Sequence, residues 1–201
     1  MKNTASKIFL TIILCILVFT SDAAESLISV PIRLLDSKRL DQMHQKIQDS
    51  APNKLKVNLF AKKSFSIQGS NVEIFSGEFL GDLISNKNEC FVYVGANQRS
   101  GKIFNVEHKS DRLWHCAGEP KLSVQTSEGT KKVLLILVMY LFQAPSGDSF
   151  YLPQAIEITK DGDANTGNID QCIDKETGGD AVRTMRELSN IAARCIVGKN
   201  K

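Results

Sequence analysis

Residues 133–142 form a run of ten apolar side chains, and this run limits the folds open to the chain more than any other segment. A membrane-spanning helix needs roughly 20 such residues, so the run is too short to cross a bilayer. Its length is that of a central β-strand buried on both faces. The sequence from Ala144 to Asp148 is typical of a turn, so residues 150–159 are predicted to return as the second strand of a hairpin.

Most of the preceding sequence has the two-residue period of short β-strands. Residues 54–60 alternate polar and apolar side chains, as a half-buried strand does. Further strands are predicted at 64–67, 72–75, 78–84, 90–94, 102–107, 112–116 and 122–125, with turns such as Ser76-Gly77 between them. Short strands at this spacing are typical of an antiparallel meander.

An edge strand and two helices complete the predicted fold. Pro31 restricts residues 27–33 to the edge of a sheet, because proline cannot donate to a neighbouring strand. A short N-terminal helix is expected from Asp36 until Pro52 stops it. A C-terminal helix is expected to be capped by Thr177 and Asp180. Its apolar face is formed by Val182, Met185, Leu188, Ile191, Ala192, Cys195 and Ile196.

The first 23 residues have the three-part layout of a secretory signal peptide. Lys2 and Lys7 precede a 12-residue apolar run, and small residues follow it up to Ala23. The alternative is a retained anchor, although 12 residues are fewer than the roughly 20 that a span requires. We expect cleavage after Ala23, with the position after Ala24 as the alternative. The remainder, residues 24–201, is then a single β-rich α+β domain without a membrane span, located in the periplasm or secreted.

Four cysteines lie in this remainder: Cys90, Cys116, Cys172 and Cys195. An even number in an exported chain indicates two disulfides, for which three pairings exist. We favour Cys90–Cys116 and Cys172–Cys195, because each closes a local loop of about 25 residues and would contribute roughly 3 kcal/mol. The predicted fold is therefore α+β: an antiparallel β-meander with a short N-terminal helix and a disulfide-tethered C-terminal helix.

The charge of the chain gives no reason to expect a nucleic-acid partner. The full sequence carries a formal charge of +3, and residues 1–23 account for one of these charges. No cluster of Lys and Arg with interleaved aromatic residues is present. The charge is uneven, however, because residues 161–180 are acidic and the sequence after them is basic, with Arg183, Arg186 and Arg194.

The acidic segment contains a candidate calcium loop. Oxygen-bearing side chains stand at alternate positions, Asp161, Asp163 and Asn165, and Asp170 could add another ligand. The match to an EF-hand loop is imperfect, because Thr166 stands where glycine is expected and Cys172 where the terminal Glu is expected. The alternative is an exposed acidic loop over residues 161–179. The sequence predicts no cofactor unless this segment binds calcium.

No catalytic motif of a known enzyme class occurs in the sequence. His-Glu-x-x-His, Gly-x-Ser-x-Gly, phosphate-binding glycine loops and dinucleotide fingerprints are all absent. The expected binding surface is instead the polar loop 95–101, where Asn97, Gln98 and Arg99 are the candidate contact residues, together with the loop 143–148. Arg99 is the favoured residue, since arginine is enriched at interface hot spots.

Part of the chain resembles a known family. The sequence Leu-Lys-Val-Asn-Leu-Phe-Ala-Lys-Lys-Ser-Phe-Ser-Ile at residues 55–67 is similar to a segment in the N-terminal prodomain-like region of secreted bacterial reprolysin-type zinc metalloproteases. Ser76–Gly81, Phe91–Gly95 and Gly101–Phe104 follow in the order of that family's strands, so the resemblance covers residues 27–107. The catalytic domain has no counterpart. The resemblance implies a β module with a binding or inhibitory role.

Taken together, these features favour an exported, non-enzymatic protein-binding module. Its expected partner is another protein, a secreted or envelope enzyme, against which it would act as an inhibitor or immunity protein. Two alternatives are kept: a small secreted hydrolase that uses carboxylates without a recognisable motif, and a calcium-dependent extracellular module.

Overall fold

The computed structural model describes residues 27–34, 37–51, 56–60, 65–67, 72–80, 89–96, 101–106, 114–127, 133–159, 161–178 and 182–198. The predicted signal peptide and residues 97–100 lie outside this part of the chain. The strands are β1 (Leu27–Ser29), β2 (Arg33–Leu34), β3 (Lys56–Leu59), β4 (Phe65–Ile67), β5 (Val72–Leu80), β6 (Glu89–Ala96), β7 (Lys102–Val106), β8 (His115–Cys116), β9 (Lys121–Ser127), β10 (Leu134–Gln143), β11 (Ser149–Ile158) and β12 (Ala164–Asn165). The helices are α1 (Ser37–Ser50), α2 (Asn168–Thr177) and α3 (Met185–Gly198).

The strands form two six-stranded antiparallel sheets. Sheet I has the order β2-β4-β5-β6-β7, and β3 pairs with β5 beside β4. Sheet II has the order β1-β9-β10-β11-β12, and β8 pairs with the end of β10. The predicted α+β fold with antiparallel strands is confirmed. The division into two sheets is a further finding. It places Pro31 between β1 and β2, which belong to different sheets, and not inside one edge strand.

The elements stack in four layers, in the order α1, sheet I, sheet II and the α2–α3 pair, with a core at each of the three interfaces. The central strand β10 explains the apolar run of the sequence. Its even-numbered residues 136, 138, 140 and 142 face sheet I, whereas the odd-numbered residues 135, 137 and 139 face the two helices. Each buried aliphatic side chain of this strand stabilises the fold by about 1.5–3 kcal/mol.

Strand β5 runs without interruption through Ser76 and Gly77, so the turn predicted there is wrong. Gly77 is required for packing. A Cβ atom at this position would lie 2.5 Å from the carbonyl oxygen of Asn58 and 2.7 Å from the ring of Phe91. Glycine therefore allows β3 and a stacked pair of rings, Phe91 with Phe79 at 4.5 Å between centroids, to approach this strand closely.

Helix α1 covers the outer face of sheet I. Its residues Met43 and Ile47 are buried against the aromatic side chains of β5 and β6. An ion pair fixes its first turns, since the Arg39 guanidinium donates to Glu73 Oε1 over 2.6 and 2.9 Å. The predicted N-terminal helix is thus confirmed.

Helix α2 occupies the segment that the sequence predicted to be an acidic loop. Ile169 and Ile173, one helical turn apart, are buried against sheet II. Glu157 Oε1 accepts a hydrogen bond from the Ile169 backbone N–H at 3.2 Å, so β11 supplies a partner for the start of the helix. Gly178, in the left-handed conformation (φ 62°), ends it.

The capping role predicted for Thr177 is also wrong, and Asp180 lies outside the described residues. Thr177 lies in α2, where its hydroxyl donates to the Ile173 carbonyl oxygen at 2.9 Å. The first turn of α3 is capped by Thr184, whose Oγ1 accepts from the Glu187 N–H at 3.1 Å. The Glu187 carboxylate accepts in turn from the Arg183 N–H at 3.0 Å. The cap is the same type of motif as predicted, seven residues further along the chain.

Both predicted disulfides are confirmed. Cys90 in β6 is bonded to Cys116 in β8, which joins the two sheets across the central core. Cys172 in α2 is bonded to Cys195 in α3, which joins the two helices to each other. Bonds of this kind persist in oxidising compartments. Over the described residues, no helix combines the length and the apolar character that crossing a membrane requires.

Candidate binding cleft

An open cleft of about 1130 Å³ lies where the first residues of β11 meet the end of α2 and the first half of α3. Ser149, Phe150 and Tyr151 line one side of the cleft, which is called its floor. Arg183, Arg186 and Arg194 line the side formed by the helices. The exposed turn 145–148 leads directly into this floor. The cleft therefore combines a strand edge, aromatic rings and cationic groups.

The floor of the cleft is an unpaired strand edge. Strand β11 pairs with β10 along its whole length, but with β12 only at Glu157 and Ile158. The Ala155 N–H points away from β10, because it donates to Asp170 of α2 at 2.7 Å. Since backbone groups alternate in direction along a strand, the N–H and C=O groups of Ser149 and Tyr151 also point away from β10. Among the described residues, no other backbone group pairs with them.

Two arginines beside this edge have guanidinium groups that contact no partner among the described residues. Arg183 and Arg186 are exposed, and neither side chain forms an ion pair or hydrogen bond there. The third arginine of the cleft, Arg194, lies 3.3 Å from a carboxylate oxygen of Glu176. The other carboxylate of the lining, that of Glu187, is engaged by the backbone cap of α3. The lining thus contains three arginines and two carboxylates, which gives a formal charge of +1.

Aromatic contacts fix the strand that carries the floor. The Phe150 ring meets the Trp114 ring edge-on at 4.7 Å and stacks against Phe142 at 5.7 Å, with distances measured between centroids. On the opposite face of the sheet, the Lys121 ammonium lies 4.1 Å above the ring of Tyr151. These contacts already fix the position of β11. Binding of a ligand would therefore cost little additional conformational entropy of the strand.

A carboxylate group occurs where α2 meets β11. The pKa of Asp170 is raised from 3.8 to about 6, mainly because the carboxyl is buried; the Ala155 N–H lowers the pKa, and the negative charges of Asp174 and Glu157 raise it. A carboxyl with such a pKa is a common feature of catalytic sites. Here Oδ1 of Asp170 is held by the backbone of β11, so the group serves to join the helix to the strand.

Tyr140 lies on the other side of the same sheet, fully inside the core between the sheets. Its hydroxyl donates to Gln154 Oε1 at 2.8 Å and lies 3.2 Å from the Phe104 carbonyl oxygen. Burial raises the pKa of this phenol, and the charge of Asp170 raises it further. The group is thus a neutral link between the two sheets.

The predicted contact residues Asn97, Gln98 and Arg99 lie outside the described residues, so their role stays a prediction. The second predicted loop, 143–148, is a tight turn. The Ala144 N–H donates to the Asp148 carbonyl oxygen at 2.9 Å, and Gly147 has φ 90°. Its exposed tip adjoins the cleft, as a binding loop would.

The residues predicted to hold calcium are spread over three elements. Asp161 and Asp163 are exposed in the turn between β11 and β12, Asn165 is in β12, and Asp170 is in α2. In the part of the chain that the structure describes, no three His, Cys, Asp or Glu side chains are grouped as metal ligands. Calcium binding by the acidic segment stays a prediction without support from this geometry.

Sequence reasoning missed the cleft, although one of its signals was visible. The sequence changes from acidic to basic character before Arg183, but nothing in it places Arg183 and Arg186 beside the start of β11. That position depends on α2, which turns the chain back over sheet II and was itself not predicted.

Comparison with protein-family models, with curated proteins and with solved structures found no match to this chain. The resemblance of residues 27–107 to a protease prodomain stays a prediction.

Proposed function

We propose that the protein is an exported, non-enzymatic protein-binding module, and that the cleft beside β11 is its binding surface. Its partner would be a secreted or envelope enzyme, which it would inhibit. The observation that carries this proposal is that, within the described ranges, the guanidinium groups of Arg183 and Arg186 and the adjacent edge of β11 have no partners.

Three features support a binding role for this surface. Arginine and aromatic side chains dominate the energy of many protein interfaces, and both are present here. The surface is supported by a sandwich with two disulfides, so little order would be lost on binding. The groups left without partners are donors and acceptors for a second chain, as at other sheet edges that bind proteins.

Export to the periplasm or the cell exterior is part of the same proposal. It is supported by the signal-like first 23 residues and by the two disulfides, which suit an oxidising compartment. An envelope or secreted enzyme would then share the compartment of this protein.

The proposal is tested by capture from the envelope of the source cell. The oxidised protein, residues 24–201, is immobilised and bound proteins are crosslinked and identified by mass spectrometry. We expect one enzyme to be captured and its activity to fall when an equal amount of the protein is added. The double variant Arg183→Glu/Arg186→Glu should lose this partner. Lys38→Glu is the control for a charge reversal elsewhere, because Lys38 is exposed on α1 in the opposite outer layer.

Failure to capture any partner, together with hydrolase activity in the pure protein, would contradict the proposal. Capture that survives the double arginine variant would leave a binding function in place but move it away from the cleft. In that case Arg99→Ala tests the loop 95–101, which the sequence favoured as the contact surface.

A further inference from the structure

We infer that the cleft binds its partner by adding an extended, acidic segment of that partner as a new strand beside β11. This inference rests on the proposed function and specifies both the binding mode and the chemistry of the segment. The inference rests on the direction of the backbone groups of β11 and on the charge of Arg183 and Arg186, which form the helical wall of the cleft.

The open part of the edge is short and has a defined set of hydrogen-bonding groups. It begins at Ser149 and ends where Asp170 occupies the Ala155 N–H. Between these limits two N–H groups, of Ser149 and Tyr151, and the carbonyl groups of residues 149, 151 and 153 point outward. Pro153 supplies no N–H, as is usual for proline at a strand edge. An added strand would pair over about five residues, roughly 17 Å.

The space for such a strand is present in the described structure. The cleft lies directly against Ser149 and Tyr151 and is open to solvent. Farther along β11, α2 packs on the strand at Ala155 and Glu157, which limits pairing to the first half of the edge. The position of α2 therefore fixes where the added strand must stop.

The helical wall determines which side chains the added strand would carry. Successive side chains of a strand point to opposite faces of the sheet. In a strand beside β11, one alternate set would face the start of α3, where Arg186 lies in the first turn and Arg183 two residues before the helix, both without side-chain partners among the described residues. Carboxylates at positions i and i+2 of the segment would complement these two charges. The partner segment is thus an extended peptide with Asp or Glu at alternate positions.

The inference is tested with synthetic peptides and the complete oxidised protein, residues 24–201. The probe is a dye-labelled, end-blocked hexapeptide that alternates Glu with Thr or Val, and Kd is measured by fluorescence anisotropy. The matched peptide with Lys in place of Glu should not bind. Arg183→Glu/Arg186→Glu should weaken binding of the Glu peptide at least about tenfold, whereas Lys38→Glu should leave Kd within about twofold.

Methylation of the peptide backbone separates strand pairing from binding by charge alone. Two N-methyl groups on alternate residues block one edge of a strand and leave the other free. Two on adjacent residues block both edges without changing the charge. Alternate methylation gives two isomers, one for each edge of the strand, and the tighter binder of the two keeps the edge that faces β11 free. The isomer methylated on adjacent residues should bind about tenfold more weakly than that one, because it loses hydrogen bonds to Ser149 and Tyr151.

Equal Kd values for the adjacent and alternate isomers, or no binding of the Glu peptide, would overturn the inference. Neither result depends on capture of the natural partner. If envelope capture requires Arg183 and Arg186 but the isomers bind equally, the proposed function stands and strand addition is wrong. If the isomers differ as expected but no envelope protein is captured, strand addition stands and the proposed enzyme partner is wrong.

Discussion

The carboxylate of Asp170 accepts a hydrogen bond of 2.7 Å from the backbone N–H of Ala155, and this contact fastens α2 to the edge of sheet II. An unpaired strand edge invites pairing with other chains, and natural proteins cover or interrupt such edges. The Asp170 contact covers one half of β11 and leaves the half beside the cleft open. The same contact buries a carboxylate, and this burial is expected to lower the stability of the protein at neutral pH.

The substitution Asp170→Asn should stabilise the protein at neutral pH. The pKa of Asp170 is raised in the folded state, so the folded protein binds more protons than the unfolded chain between about pH 4 and pH 6. The free energy of unfolding contributed by this group therefore falls as pH rises through that window. Asn keeps the acceptor oxygen without the charge. Urea unfolding should show a gain of about 1–3 kcal/mol near pH 8 and none near pH 4.

Asp41→Asn is the control for this experiment, because Asp41 is exposed on α1 and far in sequence from the buried carboxylate. It should change stability by no more than about 0.5 kcal/mol at either pH. A gain from Asp170→Asn that is the same near pH 4 and near pH 8 would show that charge burial is not its cause.

Two adjacent residues of β5 should respond to alanine with opposite signs. Ser76 is buried, and its hydroxyl has no hydrogen-bond partner within the described ranges, so Ser76→Ala should stabilise by up to about 1 kcal/mol. Gly77→Ala should destabilise by about 1–3 kcal/mol, because the new methyl group would meet the Asn58 carbonyl oxygen and the Phe91 ring. Thermal and urea unfolding measure both changes. Tolerance of alanine at Gly77 would argue against the close packing of β3 on β5.

The two disulfides should each be removable at a similar cost in stability. Cys90→Ser/Cys116→Ser and Cys172→Ser/Cys195→Ser each open a loop, of 26 and 23 residues in sequence separation, and should each lower the free energy of unfolding by about 3 kcal/mol. Peptide mapping without reduction identifies the pairs in the native protein. Crossed pairs, or free thiols after oxidative folding, would contradict the connectivity described above.

Loss of the first 23 residues is expected when the protein is produced in an exporting host. The reason is the apolar run followed by small residues that end at Ala23. Intact-mass spectrometry of the extracytoplasmic fraction measures the loss directly. An intact Met1 in that fraction would instead indicate a retained segment.

The parts of the fold that local sequence controls were predictable. The apolar run of β10 indicated burial on both faces, and the cysteine spacing indicated two local disulfides; both are confirmed. The assignment of strands to two sheets was not predictable, because it depends on pairings between segments far apart in sequence, such as β1 with β9.

The errors at Gly77 and in α2 have different physical causes. Ser-Gly pairs are common in turns, but glycine is needed at position 77 because β3 and β6 pack too closely there for a Cβ atom. The segment 168–177 is acidic and has only a short apolar stripe, a pattern that predicts a loop. Its helix is stabilised by contacts that the sequence does not reveal, from Glu157 to the Ile169 N–H and from Asp170 to β11. The cleft could not be predicted either, because the position of Arg183 and Arg186 depends on α2, which precedes them in the chain.

The two disulfides connect residues in three of the four layers, and the layer formed by α1 contains none. One bond joins the two sheets and the other joins α2 to α3, whereas α1, which has no cysteine, is held by Met43, Ile47 and the Arg39–Glu73 ion pair. Local opening should therefore begin at this outer helix. Backbone amides of α1 are expected to exchange with deuterium well before those of β6 and β10, and to do so while the cleft on the opposite side of the molecule stays intact.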